Sequence, residues 1–357
     1  MGGPGEFARS SGRLRQICGA GGDLRSVRLS VLEELSTVVA FDAYAWLLTD
    51  PTTSVGVSPL ADVPCLPELG RLIRLKYLSE INRWTALADG AVGLLTTATG
   101  GDLARSALWR ELLSQYEVSD VASMAFKDRW GCWGFLDLWR TGGGVFTRGE
   151  AAFLAGIAAP VTAALRVAQA ATFLASGGSA DQIGPAVLLL SSGGDVLAQT
   201  SQTREFLRVL VPPASDQAPI PASAYNVAGQ LVAVEQGVDS NPPSARVHLV
   251  DGRWMTLRAA RIGESDSVAQ RDIAVTIEQS SAAERIDLFA RCHALSRRET
   301  ELLEHLTAGT GTRELARRLF VSENTVQDHL KSVFAKTSTR SRSTLLSRAL
   351  GNGASPS

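Results

Sequence analysis

Histidine is scarce, with four in 357 residues and none before His248. A histidine-ligated haem or iron site is therefore excluded from the front of the chain, and no Ser/His/Asp or paired-carboxylate catalytic set can be assembled, so no enzyme is expected. Cys18, Cys65, Cys132 and Cys292 contain no CxxC and no spacing that pairs with histidine, which excludes a zinc site and a disulfide framework and fits a reducing cytoplasm. Lysine is as rare: Lys76, Lys127, Lys331 and Lys336 are the whole set, and none follows glycine, so a phosphate-binding loop is absent. Neither Leu48-Thr49-Asp50 nor Leu190-Ser191-Ser192 supplies the paired acids of a phospho-receiver, and Gly142 to Gly144 lack the strand-to-helix surroundings of a dinucleotide site. No metal and no cofactor is expected. The longest uncharged apolar stretch, Ala151 to Leu165, is fifteen residues with Pro160 and Thr162 inside it, too short to cross a bilayer, so no membrane is expected either.

What is present is an ordinary globular composition, 45% hydrophobic and 20% charged, with room for two to three domains. Residues 295–350 carry four short amphipathic segments with helix-start residues in place. Ser296 and Glu299 form a capping box; Leu302, Leu303 and Leu306 recur at helical spacing, and Gly309 is placed to stop the segment. A second helix is predicted from about Thr312, with Leu315, Ala316 and Leu319 inward, and Phe320 and Val321 form an apolar corner. Ser322 is a strong N-cap for a third helix to about Lys336. There Val326, Leu330, Val333 and Phe334 form the inner stripe, leaving Asn324, Gln327, Asp328 and Lys331 outside. Gln pairs with adenine, Asp accepts from cytosine N4 and Lys reaches guanine, so this face suits a major groove. Thr312 to Arg348 carries eight basic against three acidic residues, a balance of +5 in a chain of net charge -1. A basic island on an acidic protein is the footprint of phosphate contact, although a helical bundle with a solvated charged face shows the same charge pattern.

The phrases L-S-x-R-E-x-E-L-L, A-G, E-L-A-x-x-L, V-S-x-x-T-V-x-x-H-L and K-x-S-x-R-S-R closely resemble the LuxR-type helix-turn-helix over roughly 55 residues. That likeness implies that Ser322 to Lys336 is a recognition helix, that Thr325 and His329 are phosphate or packing positions, and that Arg342 to Leu350 is a fourth, dimer-forming helix. The DNA-binding candidates are Arg313, Ser322, Asn324, Thr325, Gln327, Asp328, His329, Lys331, Lys336, Arg340 and Arg342; Leu345, Leu346 and Leu350 are the dimer candidates, exposed unless paired. Two departures from the family stand out: Gln327 where lysine is usual, and Gly311, Thr312 and Arg313 where an S-N-K-like run is usual.

Ahead of this segment, Gly/Ser/Pro-rich breaks at 176–184 and 212–221 divide the chain. Predicted in front are a helix from Leu24 to about Val39, a strand Phe41 to Leu48, helical regions Pro67 to Ala88 and Leu103 to Tyr116, and a hairpin of Val121 to Trp130 with Trp133 to Arg140. A closing helix is announced by the capping box Thr147-x-x-Glu150. The phrases FDAYAWLLTDP and DRWGCWGFLDLWR resemble GAF-type sensory domains, a class that binds small ligands between sheet and overlying helices. Trp46, Trp84, Trp109, Phe126, Trp130, Cys132 and Trp133 are the ligand candidates; the same aromatics suit a packed core, and Cys132 suits either a thiol sensor or an inert core position.

The middle reads strand (Ala186 to Leu190), strand (Asp195 to Gln199), helix (Thr203 to Leu210), helix (Ala222 to Gln236), then strands Ala245 to Val250, Arg253 to Ala260 and Ile273 to Glu278, with a tight turn at Asp251-Gly252. That order resembles PAS-like modules, with His248 and Trp254 across a hairpin.

The expected fold is α+β and multidomain: residues 1–22 disordered or tag-containing, 23–176 GAF-like, 184–280 PAS-like, 281–293 a linker, and 294–351 an all-α four-helix LuxR-type helix-turn-helix domain. The resemblance implies a cytoplasmic, homodimeric transcription regulator bound to double-stranded DNA, controlled by a small-molecule effector or partner and touching RNA polymerase. The alternative is a protein-interaction or anti-activator role, in which Gln327 and Asp328 in place of basic groups leave DNA binding weak.

Overall fold

The computed structural model describes residues 3–174, 186–210, 221–249 and 253–351. The front unit runs α1 (Pro4–Ala20), α2 (Leu24–Ser36), β1 (Ala43–Thr49), β2 (Gly56–Asp62), α3 (Leu69–Leu78), β3 (Val92–Leu94), α4 (Leu95–Ala98), α5 (Ala107–Glu111), β4 (Val118–Asp128), β5 (Gly131–Thr141) and α6 (Arg148–Ala171). Its strands form one antiparallel sheet in the order β2-β1-β5-β4-β3. The middle unit runs β6 (Ala186–Leu190), β7 (Val196–Gln199), α7 (Ser201–Leu210), α8 (Ala222–Glu235), β8 (Ser244–His248), β9 (Trp254–Ile262) and β10 (Asp272–Gln279). It repeats the same spatial order, β7-β6-β10-β9-β8, again antiparallel. Five helices follow: α9 (Ala282–Cys292), α10 (Arg297–Thr307), α11 (Thr312–Arg318), α12 (Glu323–Thr337) and α13 (Arg342–Leu350).

Each half-polar strand needs one face covered, and the front sheet is covered on both. Trp46, Leu136 and Leu138 join Ile157, Val161 and Leu165 of α6 in one core; Leu47, Phe135 and Trp139 join Leu72, Ile73 and Tyr77 of α3 in another. The capping box of Thr147 and Glu150 starts α6, and Arg140 pairs with the buried Glu150 at 2.7 Å. The segment Arg148–Leu174 is long and apolar enough to cross a bilayer, its most apolar 18 residues having mean hydropathy 1.7, but half of those 18 are buried against the rest of the chain, as in a core helix.

Four expectations are corrected. Residues 4–20 are not disordered: they form α1, with Leu14 fully buried and Phe7 stacked on Phe153 at 4.9 Å. The helical region from Pro67 to Ala88 stops at Leu78, and the one from Leu103 to Tyr116 breaks into three short turns. The strand β2 was not foreseen because Pro59 breaks its pattern; it lies at the sheet edge, where a missing N–H costs no ladder bond. Residues 281–293 are not a linker but α9, started by the capping box of Ser281 and Glu284, with Ile286, Leu288, Phe289 and Cys292 buried. The turn at Asp251-Gly252 and the breaks at 176–184 and 212–220 lie outside the described residues.

One buried guanidinium joins the parts. Arg246 of β8 grips Asp50 at the end of β1 through two bonds of 2.6 and 2.7 Å, reaches Asp287 of α9 at 2.9 Å and donates to the Glu284 carbonyl at 2.7 Å. Asp50 and Arg246 are almost without solvent contact. A buried ion pair gains little over an apolar pair, but removing one partner strands a charge in the interior. Asp50→Ala is therefore expected to cost roughly 3–5 kcal/mol, read by urea unfolding of the full chain; a loss below about 1 kcal/mol, the range of a surface pair, would show that the clasp is solvated.

Candidate nucleic-acid interface

The helices after α9 are held together by a cap that also serves as an anchor. Ser296 and Glu299 satisfy each other's backbone N–H groups at the start of α10. The Glu299 carboxylate goes on to accept from Ser332 Oγ and from Lys336 Nζ, both at 2.6 Å, and so ties α12 to α10. Beneath that tie, Val326, Leu330 and Val333 are buried together with Leu302, Leu303, Leu306 and Leu315. Gly309 takes φ +76 after α10, and Ser322 Oγ accepts from the Thr325 N–H at 3.1 Å to start α12.

With the inner stripe fixed in this way, Asn324, Gln327, Asp328 and Lys331 stand exposed along the outer face of α12. Thr325 and His329 are half-buried beside them, and Arg313 and Arg340 are exposed. Three expected contacts are already engaged within the chain: Lys336 with Glu299, Arg342 with Thr312 Oγ1 at 2.7 Å, and Lys331 with Asp328 at 3.1 Å. Both members of the last pair are largely exposed, so a phosphate or base edge can compete for the lysine. Two basic residues were counted in the sequence without a role: Arg317 and Arg318, exposed at the end of α11 and paired with Glu314. The turn after α11 places Phe320 at φ +55 and 95% exposed, so it does not form the inward corner its apolarity suggests.

The dimer candidates are placed differently from the expectation. Leu345 is fully buried, together with Ala349, and Leu346 and Leu350 are half-buried, because α13 packs on α9 of the same chain. His293, just after α9, donates from Nδ1 to the Lys336 carbonyl at 3.3 Å and lies 4.3 Å from the Phe289 ring; burial pushes its pKa down to about 4.

The ligand candidates of the front unit do not line a common pocket. Trp46, Phe126 and Trp133 belong to the core under α6, whereas Trp84 and Cys132 lie on the opposite face of the sheet; Trp109 and Trp130 are half-buried at the margins. Simple alternation along β5 would put Trp133 with Phe135, but a register shift opposite Phe126 and Lys127 turns it over. The space beside Trp139 is filled by a buried pair, Lys76 with Asp137 at 3.0 Å, to which Trp84 Nε1 also donates; the cavity there is about 10 Å³, at most one water. Cys132 is buried, and burial pushes its thiol up to about 11, which removes it as a reactive thiolate.

Comparison with known proteins agrees with this geometry. Residues 293–349 match the family of bacterial regulatory proteins, luxR family. Over 58 residues the chain is 43% identical to the CsgBAC operon transcriptional regulatory protein of Escherichia coli and to the probable csgAB operon transcriptional regulatory protein of Salmonella typhimurium; that covers 16% of this chain and 27% of theirs. Among solved structures, Escherichia coli SdiA is similar over 96% of this chain and 97% of its own at 12% identity and TM-score 0.32, and the bacteriophytochrome RpBphP3 from R. palustris over 78% and 63% at 11% and 0.32. Likenesses that distant carry nothing over.

Glu299 makes the anchoring of α12 measurable. Burial opposes its charge, but bonds from Lys336, Ser332 and Ser296 win and hold its pKa at about 2, against 4.5 for an ordinary glutamate. Its stabilisation is present above pH 4.5 and is lost as pH falls from there toward 2. The thermal midpoint of the chain is expected to exceed that of Glu299→Gln above pH 4.5, with the gap closing below it; a gap constant across that range would contradict the tie. Cap, anchored rod, polar outer face and sequence match together make residues 293–349 a LuxR-family helix-turn-helix domain.

Proposed function

We propose that the chain is a DNA-binding transcription regulator of the bacterial cytoplasm, working as a homodimer under the control of a small molecule or partner that acts on the two sheet units. The observation that carries this reading is the outer face of α12, where Asn324, Gln327, Asp328 and Lys331 are exposed on a helix whose other side is anchored by Glu299. Those side chains have the donors and acceptors that base edges require. Arg313, Arg340 and the Arg317/Arg318 pair supply positive charge around them for phosphates. Nothing in the reading asks for catalysis.

The packing of α13 bears on the dimer. With Leu345 turned to α9, a second copy would meet Leu346 and Leu350, or would need α9 to move away. Control and dimerisation then become one equilibrium. An effector that binds the two arrangements unequally shifts it, and the dimer places two recognition helices ~34 Å apart on a pseudo-palindromic site. RNA polymerase is the expected further partner of a bound activator. The second reading, an anti-activator with feeble DNA affinity, is favoured by the Asp328–Lys331 pair, which lowers the net positive charge of the recognition face.

Gel shifts of the full chain on fragments of its own genome decide between the two, since the regulator is expected to retain a specific fragment at physiological salt and the anti-activator none. On that fragment Gln327→Ala and Lys331→Ala are expected each to cost roughly 1–3 kcal/mol of sequence discrimination. Arg340→Ala is expected to weaken all duplexes alike and to lower the salt slope by about 0.9. Unchanged discrimination in the first two variants would overturn the assignment of this helix face.

A further inference from the structure

A cleft lies between the two sheet units, its apolar wall packed against the core on the α3 side of the front sheet. It measures about 710 Å³ and is walled by α3 and α5 of the front unit and by the β6–β7 turn and Tyr225 of the middle unit. A space of this size at a junction of two units is where small ligands usually bind. Its charged groups are unevenly satisfied. Arg71 is paired with Glu68 at 3.0 Å, which also accepts from the Tyr116 hydroxyl. Arg74 has no carboxylate within ion-pair distance among the described residues; one of its nitrogens donates to the Ser192 carbonyl at 3.0 Å. Glu111 and Asp195, which also line the cleft, are exposed and have no cationic partner among the described residues. The apolar wall is Leu75, Leu78 and the ring of Tyr225. That ring lies so close over Gly70 that an added Cβ would sit 3.3 Å from it, so the chain gives up a side chain there to let the ring lie against α3.

These groups select by charge. A polyphosphate would find one guanidinium without a carboxylate partner and two carboxylates, a simple anion would meet the same carboxylates, and a simple amine would meet Arg74. A ligand carrying both signs satisfies all three. We propose that the cleft binds a small zwitterion with an apolar body, of the chemical class of the aromatic and large aliphatic amino acids: its carboxylate on Arg74, its ammonium toward Asp195 and Glu111, its side chain against Tyr225, Leu75 and Leu78. Bound there, it bridges α3 to the β6–β7 turn and changes how the front and middle units are held together. The Arg246 clasp connects both of those units to α9, and α9 holds α13. This assignment deepens the effector-controlled reading above and rests on it for its regulatory consequence, not for the binding itself.

Titration calorimetry of the full chain tests it with four compounds: L-phenylalanine, 3-phenylpropionate, which lacks the ammonium, 2-phenylethylamine, which lacks the carboxylate, and glycine, which lacks the apolar body. L-phenylalanine is expected to bind once per chain, and each of the other three about tenfold more weakly or worse, the loss that goes with one charge-assisted bond or one buried ring. Arg74→Gln is expected to weaken L-phenylalanine by about tenfold or more. Asp195→Asn, in an exposed turn, is expected to weaken L-phenylalanine while leaving 3-phenylpropionate unchanged or tighter, a split that loss of structure would not produce. No heat from any of the four, equal affinity for phenylalanine and phenylpropionate, or indifference to Arg74→Gln in a variant that melts like the parent would each overturn the assignment. Gel shifts with and without L-phenylalanine separate the two claims, since binding that leaves DNA affinity unchanged supports the site and overturns its control of DNA binding.

Discussion

A guanidinium taken out of water must find its counter-charges nearby, and Arg246 finds them on two different parts of the chain. Asp50 comes from the front sheet, Asp287 from the helix that leads into the DNA module, and the arginine itself from the middle sheet. Because the arginine is buried whichever partner leaves, pulling any one of the three parts away strands a charge in the interior. Thr52 adds a bond to Arg246 and another to Asp287, and Arg291 of α9 donates to the Trp130 carbonyl, so the same helix is gripped from the front unit at its middle and near its C-terminal end.

The consequence runs through α9. Its buried side packs against the sheet units and against α13, and it is followed at once by His293 and the Ser296 cap. Whatever displaces α9 therefore acts on α13, and through the His293–Lys336 bond on the C-terminal end of α12, while Glu299 keeps α12 tied to α10.

Short-range chemistry made much of this readable in the sequence. Ser296 with Glu299, Thr147 with Glu150 and Ser322 with Thr325 are three residues apart, so each helix start is written locally. The outer face of α12 followed from a 3.6-residue period, and the strand and helix order of the middle unit followed from alternation and turns. Contacts across the chain were not readable. Nothing near Arg246 announces Asp50, 196 residues away. The α9 helix lies where a linker is expected between the sheet units and the helical module, although Ser281 and Glu284 carry the same capping signature as the others. The sequence leaves the aromatic residues open between pocket wall and packed core, because alternation cannot tell which face of a sheet covered on both sides each residue meets, and the bulge at Trp133 reverses the answer locally.

The decisive test is selection of duplexes from a random DNA pool by the purified full-length chain at low salt, repeated with Gln327→Ala. Enrichment of a pseudo-palindrome whose half-sites are about one helical turn apart, with base preference relaxed at one position of each half-site in the variant, is the expected result. A pool that stays random with a folded protein, or a motif untouched by the variant, would contradict the placing of α12 in the groove.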